Sequence, residues 1–291
     1  MDPGGGARCE LPAYRLDLRM TSFLKRHSLV AFFVLAFGIS WGNYLLSRAW
    51  PNFPFLFPYG PLLAAVIVAV VSNGMDGLKD LLNRCLRWRV KLKWYMAALL
   101  VPVAIALAAV SFNILLDAPM PNGNRLGPWY SFFILFPMAL VDAPLGEETG
   151  WRGYALPKFS AKRSPLANSL ILGVLIAGWH VPVALAAPSI TAYLVGSVAS
   201  AVLANWVYYN AHESALLVIV YHTAQNAIGG WYLFRMFSGP ELIRLWWLLA
   251  AAYVVVVFIL TLWPDRISGA DRTQYDSSPR GTSRLLPRLF R

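Results

Sequence analysis

Apolar residues in this chain run in long blocks and do not alternate with polar residues at short spacing. Segments such as Ser28–Ser47 and Leu245–Pro264 carry no charged residue, and each is close to the roughly 20 residues that cross the hydrocarbon core of a bilayer. Blocks of this kind, bounded by Pro, Gly or charge, predict membrane-spanning helices. They cover residues 28–47, 53–72, 94–116, 129–146, 166–187, 191–211, 214–234 and 245–263. The expected fold is therefore an all-α polytopic transmembrane bundle of about eight spans.

Composition excludes several other classes of protein. Of the 291 residues, 58% are hydrophobic and 13% are charged, whereas a soluble domain carries about 25% charged residues. The mean hydropathy is +0.53. Too few charged residues remain to cover the surface of a soluble globule, and the chain is too apolar to be disordered. A soluble enzyme, a secreted disulfide scaffold and a disordered chain are all excluded.

The net charge of +11 is concentrated in particular segments. The N-terminal arm, the loops after the second and fourth spans, and the C-terminal tail together hold 21 of the 25 Lys and Arg residues. Lys and Arg are retained on the cytoplasmic side of a membrane, so both termini are expected there, in a multi-pass protein of the cell membrane. Basic loops beside the bilayer explain the charge, and a nucleic-acid partner is not expected.

The expected domain organisation has three parts. A cytoplasmic arm covers residues 1–27, a membrane domain covers 28–263, and a loose basic tail covers 264–291. Toward its end, the first apolar block carries Trp41, Asn43 and Tyr44 in place of a small-residue cleavage site. We interpret it as a retained span and not as a signal peptide.

Two further features concern the cytoplasmic side. Leucine alternates with basic residues over Leu78–Trp94 in a helical pattern, which predicts an amphipathic helix on the inner leaflet. Cys9 and Cys85 both fall in segments assigned to the cytoplasm. They are expected to be free thiols.

Polar residues interrupt the apolar blocks at three places, of which the first is the run Gly146–Tyr154. A charged group at the bilayer centre costs about 2.5–3.5 kcal/mol on insertion scales, so such groups usually face a cavity or a partner. On a helix, Glu148 and Arg152 are four residues apart and can form an ion pair on one face. Glu147 then points about 100° away, which leaves its carboxylate available for another role.

The second and third places contain histidines. His180 lies in the middle of one span, and His222 precedes Asn226 by four residues in another, which puts an imidazole and a carboxamide on the same helix face. Glutamate can take a proton from water, and a histidine can orient that water or protonate a leaving amine. A second histidine and an amide can donate hydrogen bonds to a developing oxyanion. Together these groups form a credible hydrolytic set.

Each of these residues also has a structural interpretation when it is taken alone. A lone intramembrane histidine is often a hydrogen-bond partner between helices, worth about 0.6 kcal/mol, and a Glu-Glu pair at a membrane boundary is most often a solvated loop. Asn205 is expected to join helices, and His27 and His212 are expected to be structural. The role of Asp142 stays open. The joint occurrence of the three motifs is what favours catalysis.

The order E-E-x-x-x-R, W-H-x-P and H-x-x-x-N resembles the CPBP family of intramembrane proteases, which includes type II CAAX prenyl endopeptidases and bacterial self-immunity (Abi) proteins. The three motifs read EETGWRGYALP at 147–157, IAGWHVP at 176–182 and HTAQN at 222–226. The resemblance covers a protease core at roughly 78–230. The chain has Ile176 where the family usually has an aromatic residue, a position that we assign to packing.

The resemblance implies four catalytic and two supporting residues: Glu147, His180, His222 and Asn226, with Glu148 and Arg152. The first glutamate would activate the water, the first histidine would assist it, and the second histidine and the asparagine would hold the oxyanion. On ligand type alone, Glu147, His180 and His222 could also hold Zn²⁺. Because no H-E-x-x-H motif is present, we favour a metal-free glutamate mechanism with no cofactor and keep zinc as the alternative.

The leading hypothesis is an intramembrane endopeptidase that hydrolyses membrane-associated proteins or peptides, with CAAX-type prenylated substrates among the candidates. One alternative is a non-catalytic scaffold, self-immunity factor or regulator of the same fold. Another is a transporter or proton relay, since intramembrane Glu and His also mark ion paths. Transport would be supported by broken repeats in two matching halves, which the sequence does not show.

Overall fold

A computed structural model describes residues 25–54, 57–121, 128–159 and 162–262, and these ranges contain helices and no strand. The all-α prediction is confirmed. Each predicted block contains or overlaps one apolar helix. These helices are α1 Ser28–Ala49, α2 Gly60–Cys85, α3 Leu92–Leu115, α4 Phe132–Asp142, α5 Pro165–Trp179, α6 Ile190–Asn210, α7 Ala215–Ile228 and α8 Gly239–Thr261. The helices α1, α2, α3, α6 and α8 are long and apolar enough to cross a membrane, and the other three are shorter.

The number of crossings and the side of each terminus remain predictions. Residues 1–24 and 263–291 contain most of the predicted arm, all of the predicted tail and Cys9. These residues lie outside the part of the chain that the structure describes.

Helix α2 differs from its prediction in both length and shape. It continues beyond the predicted span to Cys85 and is kinked at Gly74, whose φ of +60° is accessible to glycine at little cost. The segment Leu78–Trp94 is therefore not a separate amphipathic helix, because its first half completes α2 and α3 begins at Leu92. That prediction was wrong because Leu81, only 2% exposed, packs into the bundle.

The predicted fourth span is divided where the first polar motif begins. Helix α4 ends at Asp142, and Ala143 leaves the helical conformation at φ −138° and ψ −49°. A short helix, Pro144–Glu148, follows, and it leads into a π-helical turn at Thr149–Ala155. Wider helical turns of this kind occur frequently at functional sites.

The other two short helices also end beside their motifs. Helix α5 stops at Trp179 with His180 as its C-cap, and Pro182 lies in the short helix that follows, so the predicted span 166–187 is divided. Helix α7 ends at Ile228 and passes into a second π-helical turn, Gly229–Leu233. All three motifs therefore lie on discontinuous helices, as do many binding sites inside membranes.

Serine side chains start the helices that carry or face the second and third motifs. Ser164, Ser189 and Ser214 are the N-caps of α5, α6 and α7, and each side chain accepts a hydrogen bond from the backbone N–H three residues later. Such caps satisfy backbone donors that the helix itself leaves unpaired. The caps fix where each helix begins, and the start of a helix determines the position of its motif along the helix axis.

Candidate active site

The first motif lies against the start of α2. A Cβ atom on Gly146 would come within 2.5 Å of the Pro58 carbonyl oxygen, and one on Gly150 would come within 2.6 Å of the Pro61 carbonyl carbon. Both contacts are too close for any side chain, so the glycines on either side of the glutamate pair allow this approach. As a result, Glu147 is held inside the bundle and is 4% exposed.

Glu148 is the centre of a buried hydrogen-bond network. Its Oε2 lies 2.6 Å from Nη1 of Arg152, which confirms the ion pair predicted from the four-residue spacing. Its Oε1 lies 2.8 Å from Nδ1 of His222. Both carboxylate oxygens therefore have partners, and Glu148 joins the first motif to the third.

Arg152 is fully enclosed by this network. Its Nε donates to Oδ1 of Asn205 at 2.8 Å, and its Nη2 donates to the Ala201 carbonyl at 3.1 Å. The residue is 2% exposed, so it does not belong to the basic loop to which its sequence position assigned it. Asn205 joins the first motif to α6, as expected for a residue that links helices.

Glu147 faces His180. The Oε2 atom of Glu147 lies 3.6 Å from Nε2 of His180, and Nδ1 of the same imidazole lies 2.9 Å from the Ile176 carbonyl oxygen. Because a carbonyl oxygen only accepts hydrogen bonds, Nδ1 carries the proton in this contact. In the neutral ring, Nε2 then presents a lone pair beside the carboxylate.

A cavity of about 580 Å³ brings the three motifs together. Its walls include all six residues singled out from the sequence: Glu147, Glu148, Arg152, His180, His222 and Asn226. Ile176 and Asp142 also line it. Asp142 is exposed at the end of α4, whereas His27 and His212 lie elsewhere, before α1 and between α6 and α7.

Aromatic rings fix the end of α5 next to His180. The centroids of the Trp179 and Phe57 rings are 4.3 Å apart. The Trp179 and His180 rings are in an edge-to-face arrangement, with their centroids 4.7 Å apart. The Trp179 carbonyl accepts a hydrogen bond of 3.0 Å from Nε1 of Trp41. Helix α1, which carries none of the motifs, thus helps to orient the second motif.

Several cavity residues were not identified from the sequence. Ser200 donates a 2.6 Å hydrogen bond to Oε1 of Gln225, which lies in the third motif between the histidine and the asparagine. The Tyr193 ring lies 5.9 Å from His180 and is stacked on Trp246 at 5.5 Å. Gln225 could have been found because it precedes Asn226 directly, but nothing in the local sequence marks the two aromatic residues.

The residues suggested for zinc do not form a metal site of the usual kind. Within the described ranges, no group of three or more His, Cys, Asp or Glu side chains is arranged to hold a metal ion. Nδ1 of His222 is also engaged by Glu148 at 2.8 Å. We therefore derive no step of the reaction through zinc.

Comparisons with known proteins bear on the family that the three motifs resemble. Residues 128–228 match the family described as "Type II CAAX prenyl endopeptidase Rce1-like", a stretch that contains all three motifs. The "CAAX prenyl protease 2" of Methanococcus maripaludis is 22% identical over 182 residues, which cover 57% of this chain and 67% of the relative. The resemblance to CPBP intramembrane proteases that the three motifs indicated is therefore confirmed.

Proposed function

We propose that this protein is an intramembrane endopeptidase in which Glu147 activates a water molecule against a peptide carbonyl. The observation that carries the proposal is the pairing of the two glutamates with different histidines around one cavity. Glu147 faces His180 at 3.6 Å, and Glu148 binds His222 at 2.8 Å. The match to an endopeptidase family and to a relative named as a protease supports the same activity.

Glu147 and His180 would activate the water. A carboxylate and an imidazole lone pair side by side accept hydrogen bonds from one water molecule and orient its oxygen toward the substrate. As the oxygen attacks the carbonyl carbon, Glu147 takes the proton. It then delivers that proton to the leaving amine when the C–N bond breaks.

His222 and Asn226 would hold the oxyanion. They are one turn apart on α7 and line the same cavity. The proposed mechanism requires a His222 ring protonated on both nitrogens, in which Nδ1–H donates to Glu148 and Nε2–H donates toward the cavity. Donors held in place before charge develops on the carbonyl oxygen lower the barrier most effectively. Glu148 and Arg152 are positioning residues in this mechanism.

The proposed substrate is a polypeptide that reaches the site from the bilayer, and the proposed location is the cell membrane. The names of the matching family and of the relative make a prenylated CAAX peptide one substrate to test. The proposed mechanism uses no cofactor. Lipid and the peptide substrate are the partners that it needs.

Proteomics of intact membranes tests the activity against every membrane protein at once. Membranes with the wild-type protein are compared with membranes that contain Glu147→Gln, and the termini of all membrane proteins are sequenced. Asp76→Asn is the matched control, because this carboxylate side chain is 88% exposed and pairs only with Lys79 among the described residues. At least one protein should accumulate uncut with Glu147→Gln alone. Identical sets of termini in all three samples would contradict the proposal.

A further inference from the structure

The described part of the bundle has one strongly basic end. The stretch 84–93, which joins α2 to α3, carries five Lys and Arg residues including Arg84, and the stretch 158–163 before α5 carries three. Contacts bring these segments together: Nη1 of Arg84 donates to the Gly153 carbonyl at 3.5 Å, and Ser214, between α6 and α7, donates to the Arg87 carbonyl at 2.6 Å. We call this end the basic face.

The cavity is closed toward the basic face. Between Arg152 at the bottom of the cavity and Lys158 on the basic face, Tyr154 and Leu156 are 4% and 3% exposed. Tyr208, near the end of α6, and Leu217, in the first turn of α7, are fully buried. These side chains form a packed layer that separates the catalytic groups from the basic loops.

The cavity opens toward the opposite end. Its lining reaches Tyr193 in the first turn of α6 and Arg235 just after the second π-helical turn. Arg235, Asp142 and Val183 line the cavity and are exposed, whereas Glu148 is only 2% exposed. Exposure of the lining thus increases with distance from the basic face, so the opening lies at the end where α6 and α8 begin.

Because basic loops stay on the cytoplasmic side of a membrane, we infer that the cavity opens toward the non-cytoplasmic side and takes peptide substrates from there. This inference rests on the proposed function. Its substrate class is a polypeptide whose scissile bond lies in the non-cytoplasmic half of the bilayer or beyond it. A prenylated tail anchored in the cytoplasmic leaflet would meet the packed layer and not the opening.

Thiol accessibility tests the inference directly. Both native cysteines are replaced by serine, and Ser197→Cys is introduced because Ser197 lines the cavity, takes no part in the proposed chemistry and differs from cysteine by one atom. Arg89→Cys marks the basic face, and Asn52→Cys, between α1 and α2, marks the opposite end; both positions are exposed. A small, permanently charged methanethiosulfonate is added to right-side-out and to inverted vesicles. Thiols that stay unmodified are then counted after denaturation.

In right-side-out vesicles, the reagent should modify the thiols of Ser197→Cys and Asn52→Cys. In inverted vesicles, it should modify the thiol of Arg89→Cys and leave that of Ser197→Cys unmodified. Modification of Ser197→Cys only in inverted vesicles would overturn the inference. Survival in both while Asn52→Cys reacts, or reaction of Arg89→Cys in right-side-out vesicles, would also overturn it. Labelling needs no proteolysis and can be repeated with Glu147→Gln, so its failure is separate from failure of the proposed activity.

Discussion

Glu148 and His222 are 74 residues apart in the sequence, and Oε1 of the first lies 2.8 Å from Nδ1 of the second. The other oxygen of Glu148 lies 2.6 Å from Nη1 of Arg152. Glu147, the preceding residue, faces His180 at 3.6 Å. Two adjacent carboxylates thus lie beside two different histidines. The proposed mechanism assigns positioning to Glu148 and proton transfer to Glu147.

The two glutamates should differ in their effect on stability. Glu148→Gln removes the charge that compensates Arg152, and losing one partner of a buried ion pair costs about 3–5 kcal/mol. Glu147→Gln breaks no such pair and should unfold close to the wild-type temperature. Thermal unfolding of both variants in the same detergent checks this difference, and equal destabilisation by the two substitutions would contradict the assigned roles.

Several parts of this site could be predicted from the sequence because they depend on local geometry. The four-residue spacing of Glu148 and Arg152 predicts their ion pair, and the apolar blocks predict where the helices lie. The contact between Glu148 and His222 could not be predicted in this way, because it depends on how distant helices pack. Hydropathy alone also carried the fourth predicted span across Ala143, where the helix is interrupted between Asp142 and Pro144.

Arg152 is a second residue whose environment depends on the packing of distant helices. Its charge and its position after an apolar block made it resemble a residue of a cytoplasmic loop. In the structure it is buried, and its three nitrogens donate to Glu148, Asn205 and Ala201. A charge count along the chain cannot detect a partner on another helix.

His222→Asn should reduce catalysis without abolishing it. A carboxamide still donates a hydrogen bond, and the loss of one oxyanion donor typically lowers the rate about 10²–10³-fold. His222→Ala removes the donor completely and should be slower still. Single-turnover rates of the two variants check this order. An alanine variant as active as the asparagine variant would contradict the assignment of His222 as an oxyanion donor.

Asn205→Ala should affect stability more than chemistry. The substitution leaves the buried Nε of Arg152 without its acceptor, which costs about 1–3 kcal/mol, a smaller loss than that expected for Glu148→Gln. Asn83→Ala, at an exposed position of α2, is the control. Unfolding measurements should show the loss for Asn205→Ala alone, while the KM of the folded fraction stays unchanged. A normal unfolding temperature would mean that this hydrogen bond contributes little.

Metal content separates the glutamate mechanism from the zinc alternative. The metal-free proposal expects far less than one zinc per purified protein and full activity after prolonged chelation. Elemental analysis together with an activity assay before and after chelation provides both values. Stoichiometric zinc, whose removal stops cleavage and whose return restores it, would contradict the metal-free mechanism and favour Glu147, His180 and His222 as ligands.

The most direct test of the account is cleavage by the purified protein. Wild type, Glu147→Gln and the Asp76→Asn control are each reconstituted in liposomes with the protein that accumulates in Glu147→Gln membranes, and the new termini are identified by mass spectrometry. Wild type and control should break the same peptide bond, and Glu147→Gln should leave the substrate intact. Cleavage by Glu147→Gln at the wild-type rate, or none by the wild type, would contradict the assignment of Glu147 as the catalytic base.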